Sequence, residues 1–222
     1  MAKSAQKKSR RLGVWLFGAH GGLATTLVVG TRAIARGLAA PHGLVTASPH
    51  GEGIAWQPLE HIVFGGHEIR DGDYAADAAE IDARTGSLPE ALRRALAKDL
   101  GAADKNVVRG VMPNAGATID SLAEAPRGRR SARRTRTLAQ MVAQVQQDLR
   151  TFQRRNRLDG VVCVNLTSTE PPLPDHPCHH TLAAFERAIA NDEQAAVRPS
   201  AIYAYAAATL GLPFVHFTPS NS

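Results

Sequence analysis

The sequence is poor in cysteine, in aromatic side chains and in long apolar runs. Two cysteines in 222 residues, Cys163 and Cys178, cannot build a disulfide framework, so we expect a protein of the reducing cytoplasm. No apolar run reaches the length of a membrane span, and no signal-peptide core follows the basic leader, which predicts a soluble protein without membrane association. An aromatic content of 5% beside 44% hydrophobic residues favours helix-rich α/β packing by Ala, Val and Leu.

The net charge of +6 is concentrated in two segments. Lysines and arginines crowd the leader 1–11 and the arginine run 127–136, and neither segment contains an acidic residue. Outside them, acidic side chains outnumber basic ones. We therefore expect a basic disordered tail at 1–11 and a flexible Arg-rich insertion at about 123–137. This distribution argues against specific nucleic-acid binding, although a flexible basic arm can still bind phosphates nonspecifically.

The most informative stretch is an apolar run of strand length, Leu12–Phe17, followed by the glycine-rich turn 18–22. Apolar residues then recur at helical spacing. A strand, a glycine turn and a helix form the first half of a βαβ nucleotide-binding unit, whose helix N-terminus attracts an anion. Gly18 permits a sharp reversal, Gly21 permits close approach of a pyrophosphate, and Ala24 permits tight packing of the helix on the strand.

The spacing of this turn is Gly-x-x-Gly-x-x-Ala rather than Gly-x-Gly-x-x-Gly, because His20 stands where a middle glycine is usual. The pattern alone therefore leaves open a glycine turn in some other α/β protein. We expect the side chain of His20 to face solvent, and the alternative is contact with a phosphate.

Strand-length and helical segments alternate along the rest of the chain. The clearest helix is 138–154, where apolar residues recur on one face, and it leads into the apolar run 160–165, typical of a buried parallel strand. The segment 111–136 is expected to be irregular. This alternation predicts an α/β fold with a Rossmann-like, doubly wound and mostly parallel sheet over 12–222. The other expected strands are 44–46, 62–64, 106–108 and 213–217, and the other expected helices are 74–82, 89–100, 180–190 and 199–210.

A compact group of possible metal ligands follows the expected strand 160–165. It consists of His176, Cys178, His179 and His180. The group has no second ligand pair at the spacing of a zinc finger. A polar loop that enters a helix is therefore the favoured interpretation, and no metal is expected.

Four segments carry a more specific signal. They are Gly18-Ala-His-Gly-Gly-Leu-Ala-Thr-Thr26, Val63-Phe-Gly-Gly-His-Glu-Ile69, Val164-Asn-Leu-Thr-Ser-Thr-Glu170 and Pro213-Phe-Val-His-Phe-Thr-Pro-Ser-Asn221. In this order they resemble segments of the myo-inositol-1-phosphate synthase (inositol-3-phosphate synthase) family, and its bacterial branch more than its eukaryotic one. The resemblance covers about Leu12 to the last residue, and it implies the N-terminal NAD-binding portion of that family.

The resemblance implies an NAD site at the glycine turn and at the end of the second main strand. Glu68 falls on the acid that holds the adenosine ribose in the family, and a carboxylate there also repels a 2′-phosphate. The alternative for Glu68 is an ordinary exposed glutamate. The implied pyrophosphate turn consists of Gly18, Gly21, Gly22, Leu23 and Ala24, with Gly22 and Leu23 replacing two asparagines of the eukaryotic loop.

Two later strand ends complete the implied site. Thr167, Ser168 and Thr169 lie where open α/β sheets place ligands, and their hydroxyls suit ribose or nicotinamide. The alternative is ordinary capping of a strand end. Thr218 matches the next strand end, where it replaces a Gly-Ser pair of the family.

The function implied by the resemblance is isomerisation of glucose 6-phosphate to myo-inositol phosphate, by internal oxidation, cyclisation and reduction with bound NAD. The family's catalytic groups are mainly lysines beyond the last matched segment, whereas Lys98 and Lys105 are the only lysines here after the leader. We therefore expect an NAD-binding part whose catalytic and oligomerisation domain is absent, with catalytic residues unknown. The complete protein is expected to be a cytoplasmic homo-oligomer.

Two further interpretations stay open. One is a stand-alone NAD-binding or regulatory protein, which the missing catalytic lysines permit. The other is a different NAD(P)-dependent oxidoreductase, although the Tyr-x-x-x-Lys of short-chain reductases is absent.

Overall fold

A computed structural model describes residues 10–124 and 136–218 of the chain. Most of the expected tail at 1–11 and of the Arg-rich insertion at 123–137 lies outside the described residues. The strands are β1 (Leu12–Phe17), β2 (Ile62–Glu68), β3 (Val107–Arg109), β4 (Gly160–Asn165) and β5 (Phe214–His216). The helices are α1 (Gly22–Ala35), α2 (Tyr74–Thr85), α3 (Glu90–Ala95), α4 (Ala97–Asp104), α5 (Ala117–Glu124), α6 (Leu138–Asn156), α7 (Leu182–Ala190) and α8 (Pro199–Thr209).

The five strands form one parallel sheet in the order β3-β2-β1-β4-β5, which confirms the predicted Rossmann-like architecture. β1 is central, and its last residue, Phe17, is in register with His67 of β2 and Asn165 of β4. The chain moves to one side of β1 to make β2 and β3, and to the other side to make β4 and β5. The carboxyl end of β1 is therefore the switch point at which doubly wound sheets bind ligands.

Each face of the sheet has its own core, as the alternation of side chains along β1 requires. Trp15 and Phe17 pack on one face with α6 and α8, and Leu16 packs on the other with α1, α2 and α4. All three side chains are at most 1% exposed. The strand is thus apolar throughout because both of its faces are covered.

The long helix α6 agrees with the predicted one-faced pattern. Its buried residues are Leu138, Val142, Val145, Leu149 and Phe152. At its N-terminus, the Thr137 side chain accepts from the backbone N–H of Gln140, and the Gln140 side chain accepts from the backbone N–H of Thr137. This capping box is worth roughly 1 kcal/mol in typical proteins, and it explains why the helix begins there.

Two expectations about strands are wrong. At the predicted strand 44–46 the chain forms a short 3₁₀ turn, Val45–Ala47, and Val45 is 71% exposed. Both sides of β1 and of β2 are already paired with other strands, so no interior position remains for this segment. The strand expected to end before Gly65 instead continues through Gly66 to the end of β2 at Glu68.

Expectations about three helical segments need correction as well. The segment 111–136 contains the helix α5, although it was expected to be irregular. The helix predicted over 89–100 is divided at Leu96 into α3 and α4, and Pro89 is the N-cap of α3 rather than a residue of its first turn. Helix 74–82 continues to Thr85, where Gly86 ends it in the left-handed region.

The close approach of β1 and β2 requires a glycine at position 66. A Cβ atom on Gly66 would lie 2.1 Å from the carbonyl oxygen of Leu16, which is backbone and cannot rotate away. We expect Gly66→Ala to lower the free energy of unfolding by more than about 2 kcal/mol, because the two strands must separate locally. Chemical denaturation monitored by circular dichroism measures this change.

Gly101→Ala is the matched control, because Gly101 lies inside α4 and a Cβ atom there meets nothing within 4 Å. That substitution is expected to raise the free energy of unfolding by about 0.5–1 kcal/mol, as alanine is the better helix former. Equal stability of Gly66→Ala and the wild type would contradict the close contact between the two strands.

Candidate functional site

A cavity of about 280 Å³ opens at the carboxyl end of the sheet, beside the N-terminus of α1. The structure brings six of the predicted site residues to its lining: Gly18, Gly21, Gly22, Glu68, Thr167 and Ser168. The other four predicted residues, Leu23, Ala24, Thr169 and Thr218, are not part of the lining. Ala24 is fully buried against the sheet, as predicted for tight helix packing, and Leu23 is 54% exposed.

The glycine turn joins β1 to α1 in the predicted place. Gly18 has a φ of +82°, which explains why a glycine is needed for the reversal. The backbone N–H groups of Gly18 and Ala19 both donate to the carbonyl oxygen of His67, which fastens the turn to the end of β2. Gly21 is the N-cap of α1, and its φ of −63° does not require a glycine, although a Cβ atom at this position would lie only 3.2 Å from the carbonyl oxygen of Gly18.

The N-terminus of α1 is suited to an anion. Gly21 offers no capping side chain, and the first turn of α1 contains no acidic residue. Gly21 and Gly22 line the cavity, so the free N–H groups and the positive end of the helix dipole lie at its wall, with no acid in the first turn to neutralise them. This is the arrangement that binds a pyrophosphate in dinucleotide-binding folds.

Glu68 lies at the end of β2 and is 6% exposed, so the alternative of an ordinary surface glutamate is wrong. Its carboxylate accepts hydrogen bonds from the backbone N–H groups of His20 (2.8 Å), Ile69 (2.8 Å) and Arg70 (3.1 Å). The guanidinium Nε of Arg70 lies 3.7 Å from the same carboxylate. Glu68 thus connects the glycine turn to the strand end while it faces the cavity.

The expectation that His20 faces solvent is wrong, because its side chain is 5% exposed. Its Nε2 lies 3.2 Å from a carboxylate oxygen of Asp104, and its Nδ1 lies 3.8 Å from one of Asp77. The ring meets the ring of Tyr74 edge to face at 4.8 Å. The turn folds back over α2 and α4, whose acids are far from residue 20 in sequence, so the local pattern of the turn gave no sign of this burial.

The end of β4 is organised by Asn165. Its Oδ1 accepts from the backbone N–H and the hydroxyl of Thr167, and its Nδ2 lies 3.0 Å from Nδ1 of His216 on β5. The hydroxyl of Thr218 donates to the carbonyl oxygen of Thr167 at 2.7 Å. Thr218 therefore stabilises the segment after β4, whereas Thr167 and Ser168 line the cavity.

Sequence reasoning missed two buried polar groups of the cavity wall. Glu170 accepts hydrogen bonds from the backbone N–H of Ser200 (2.8 Å) and from its hydroxyl (2.5 Å), at the start of α8. Glu170 is the last residue of the segment 164–170 that resembles the family. Its contact with Ser200 could not be predicted from that segment, because Ser200 lies 30 residues later in the sequence. A capping carboxylate here neutralises the N-terminus of α8, in contrast to that of α1.

The second missed group is His67, which is 1% exposed and stacks on Tyr203 beneath the cavity. Its Nε2 lies 2.9 Å from a carboxylate oxygen of Asp148 on α6. Burial lowers the pKa of His67 despite this contact, so the ring is neutral at pH 7. Burial likewise raises the pKa of Tyr203, whose hydroxyl donates to the carbonyl oxygen of Val111 at 2.7 Å.

Within residues 10–124 and 136–218, no group of three or more His, Cys, Asp and Glu side chains is arranged to hold a metal ion. His176 instead accepts from the backbone N–H of Cys178 at the start of a short 3₁₀ turn, and His179 contacts the carbonyl oxygen of Ala196.

Among the same described residues, no helix is both long and apolar enough to cross a bilayer. On β4, burial raises the pKa of the Cys163 thiol to about 12, so this cysteine is unreactive.

Comparison with known proteins identifies the relatives of this chain. The family model described as myo-inositol-1-phosphate synthase, an NAD-binding family, matches residues 12–222. The inositol-3-phosphate synthase 1 of Bacteroides thetaiotaomicron is 32% identical to this chain over an alignment of 231 residues. The alignment covers 99% of this chain and 51% of the relative.

Solved structures agree on the fold. The inositol-3-phosphate synthase of Caenorhabditis elegans superposes with a TM-score of 0.75 at 17% identity, covering 96% of this chain and 45% of that one. A myo-inositol-1-phosphate synthase-related protein of Thermotoga maritima gives a TM-score of 0.62 at 19% identity, covering 95% and 48% respectively. This chain spans about half the length of the relatives it matches. On the match over residues 12–222, it belongs to the myo-inositol-1-phosphate synthase family and carries that family's NAD-binding, Rossmann-like domain.

Proposed function

We propose that this chain is the NAD-binding part of an inositol-3-phosphate synthase-like isomerase, which converts glucose 6-phosphate to myo-inositol phosphate. The observation that carries the proposal is the α1 N-terminus, which has neither a capping side chain nor an acid in its first turn and opens on the cavity. The family match over the whole described domain supports it. We further propose that the complete protein is a cytoplasmic homo-oligomer.

The residues of the cavity fit the cofactor in three places. The turn at Gly18, Gly21 and Gly22 receives the pyrophosphate on backbone N–H groups. Glu68 receives the hydroxyls of the adenosine ribose, since its carboxylate keeps acceptor capacity beyond its three backbone hydrogen bonds. Thr167, at the end of β4, orients the ribose or the nicotinamide on the other side of the pyrophosphate.

Bound NAD supplies the chemistry of hydride removal and return, so that no net oxidation occurs. The groups that bind the sugar phosphate and stabilise an enolate are not assigned to this chain. Lys98 and Lys105 are exposed on or just beyond α4, and neither lines the cavity.

The first test concerns cofactor choice. We expect NAD to bind more tightly than NADP by roughly 1–3 kcal/mol, because the carboxylate of Glu68 repels a 2′-phosphate. Glu68→Gln keeps an acceptor oxygen but removes the charge, so it should narrow this difference. Isothermal titration calorimetry with both nucleotides measures it.

Glu60→Gln is the matched control, because Glu60 is exposed just before the start of β2, at the opposite end of that strand from the cavity. It should leave the preference for NAD unchanged. Equal affinity of the wild type for NAD and NADP would remove Glu68 from the ribose site.

The second test concerns the turn. A Cβ atom on Gly21 lies 3.2 Å from the carbonyl oxygen of Gly18, and the branches of a larger side chain would enter the space of the pyrophosphate. We expect Gly21→Val to weaken NAD binding by at least about tenfold, or ~1.4 kcal/mol, with the fold retained by circular dichroism. Gly30→Ala, in the same helix with nothing within 4 Å, is the control and should bind normally. Normal binding by Gly21→Val would place the cofactor elsewhere.

The third test concerns turnover. We expect the 222 residues by themselves to bind NAD weakly and to form no inositol phosphate from glucose 6-phosphate. The reason is that no assigned residue stabilises the enolate, a contribution often worth several kcal/mol per donor. A coupled assay for inositol phosphate decides this. Reproducible product from this chain alone would assign the chemistry to groups near the cavity, with His20 and His216 the first to examine.

A further inference from the structure

His20 lies in the glycine turn, and its ring takes no part in the proposed cofactor contacts. Its imidazole is 5% exposed and stands between the carboxylates of Asp77 on α2 and Asp104 on α4. The Asp104 carboxylate also accepts from the backbone N–H of Tyr74 at 3.0 Å, so its position is fixed. The turn is therefore anchored to two helices through one ring.

The contact with Asp77 is incomplete without a proton. Nδ1 of His20 and Oδ2 of Asp77 are both buried and, among the described residues, have no hydrogen-bond partner, although they lie only 3.8 Å apart. A neutral imidazole has a single N–H, and if Asp104 receives it, the Nδ1 lone pair opposes the Asp77 carboxylate. A doubly protonated ring donates to both carboxylates at once. The geometry therefore favours a proton held between His20 and Asp77.

Other charged groups surround the contact between His20 and Asp77. Asp73, at the N-cap of α2, and Glu68, at the end of β2, add two carboxylates to those of Asp77 and Asp104, and Arg70 is the cation of this group. Burial holds the pKa of Asp77 above its ordinary value, although His20 and Arg70 act to lower it.

The backbone of His20 transmits the state of the ring to the turn. Its N–H donates to Glu68 at 2.8 Å, and its carbonyl oxygen accepts from Nη2 of Arg70 at 2.7 Å. The next residue, Gly21, is the N-cap of α1. A small shift of the ring therefore moves the N–H groups that face the cavity.

We propose that His20 is a positioning residue of the NAD site, whose protonated ring, held between Asp77 and Asp104, fixes the turn for the pyrophosphate and makes NAD affinity depend on pH. The proposal rests on the proposed NAD-binding function. The sign follows from the charges: protonation completes both contacts with the acids and adds a positive charge close to the pyrophosphate. NAD therefore binds more tightly at low pH, and its affinity falls as the pH rises.

The test is the dissociation constant of NAD by titration calorimetry across the range in which ordinary histidines titrate, from about pH 6 to about pH 8. The wild type is expected to lose about fivefold in affinity over this range, a size typical of a charge near a helix N-terminus. His20→Gln places an amide N–H near Asp104 but cannot titrate, so its affinity should not vary with pH. His42→Gln, which removes an exposed histidine, should keep the wild-type profile.

A wild-type affinity that does not change with pH, or a His20→Gln variant that keeps the wild-type slope, overturns the proposal. If His20→Gln does not fold, Asp77→Asn removes the other partner of the proton and is expected to flatten the same profile. A slope unchanged in Asp77→Asn overturns it as well.

A second measurement needs no nucleotide. Hydrogen exchange at the amides of residues 18–24 in the free chain, corrected for the intrinsic effect of pH, should show protection that falls with rising pH in the wild type and not in His20→Gln. Protection independent of pH in the wild type overturns the role of His20. Absence of NAD binding at every pH contradicts the proposed function instead, and the exchange profile then decides the role of His20 by itself.

Discussion

The structure depends on the hydrogen bonding of β1 to parallel strands on both sides. With β2 and β4 on both edges of β1, the chain leaves the sheet after Phe17 through a sharp reversal at Gly18. That reversal is held by the carbonyl oxygen of His67, the residue beside Phe17 in the sheet. The position of the cavity thus follows from the pairing of the central strand.

The two helix N-termini at the cavity show how the chain distributes its charge. At α8 the carboxylate of Glu170 bonds to the backbone N–H and the hydroxyl of Ser200, so that end is satisfied internally. At α1 no side chain does the same, and the nearby carboxylate of Glu68 is directed to the backbone of the turn instead. Unsatisfied donors are costly in a folded chain, and they are retained where a ligand completes them.

Much of this could be predicted from sequence where the signal was local. The apolar β1 and β4, the one-faced α6 and the reversal at Gly18 each follow from residues within a single segment. The burial of His20 could not, because the acids that receive it come from α2 and α4. The strand at 44–46 failed for a related reason, since local β-propensity says nothing about whether a sheet has room for another strand.

The pairing of β1 with β4 also has a consequence for synthesis of the chain on the ribosome. β1 precedes β2 in the chain and can pair with it early, but its other neighbour, residues 160–165, emerges only after α1 to α6. Until then Trp15 and Phe17 lack the cover that α6 and α8 give them in the finished core. Until both have emerged, the nascent chain carries an exposed aromatic face and an unpaired strand edge, which are surfaces that chaperones bind and from which aggregation begins.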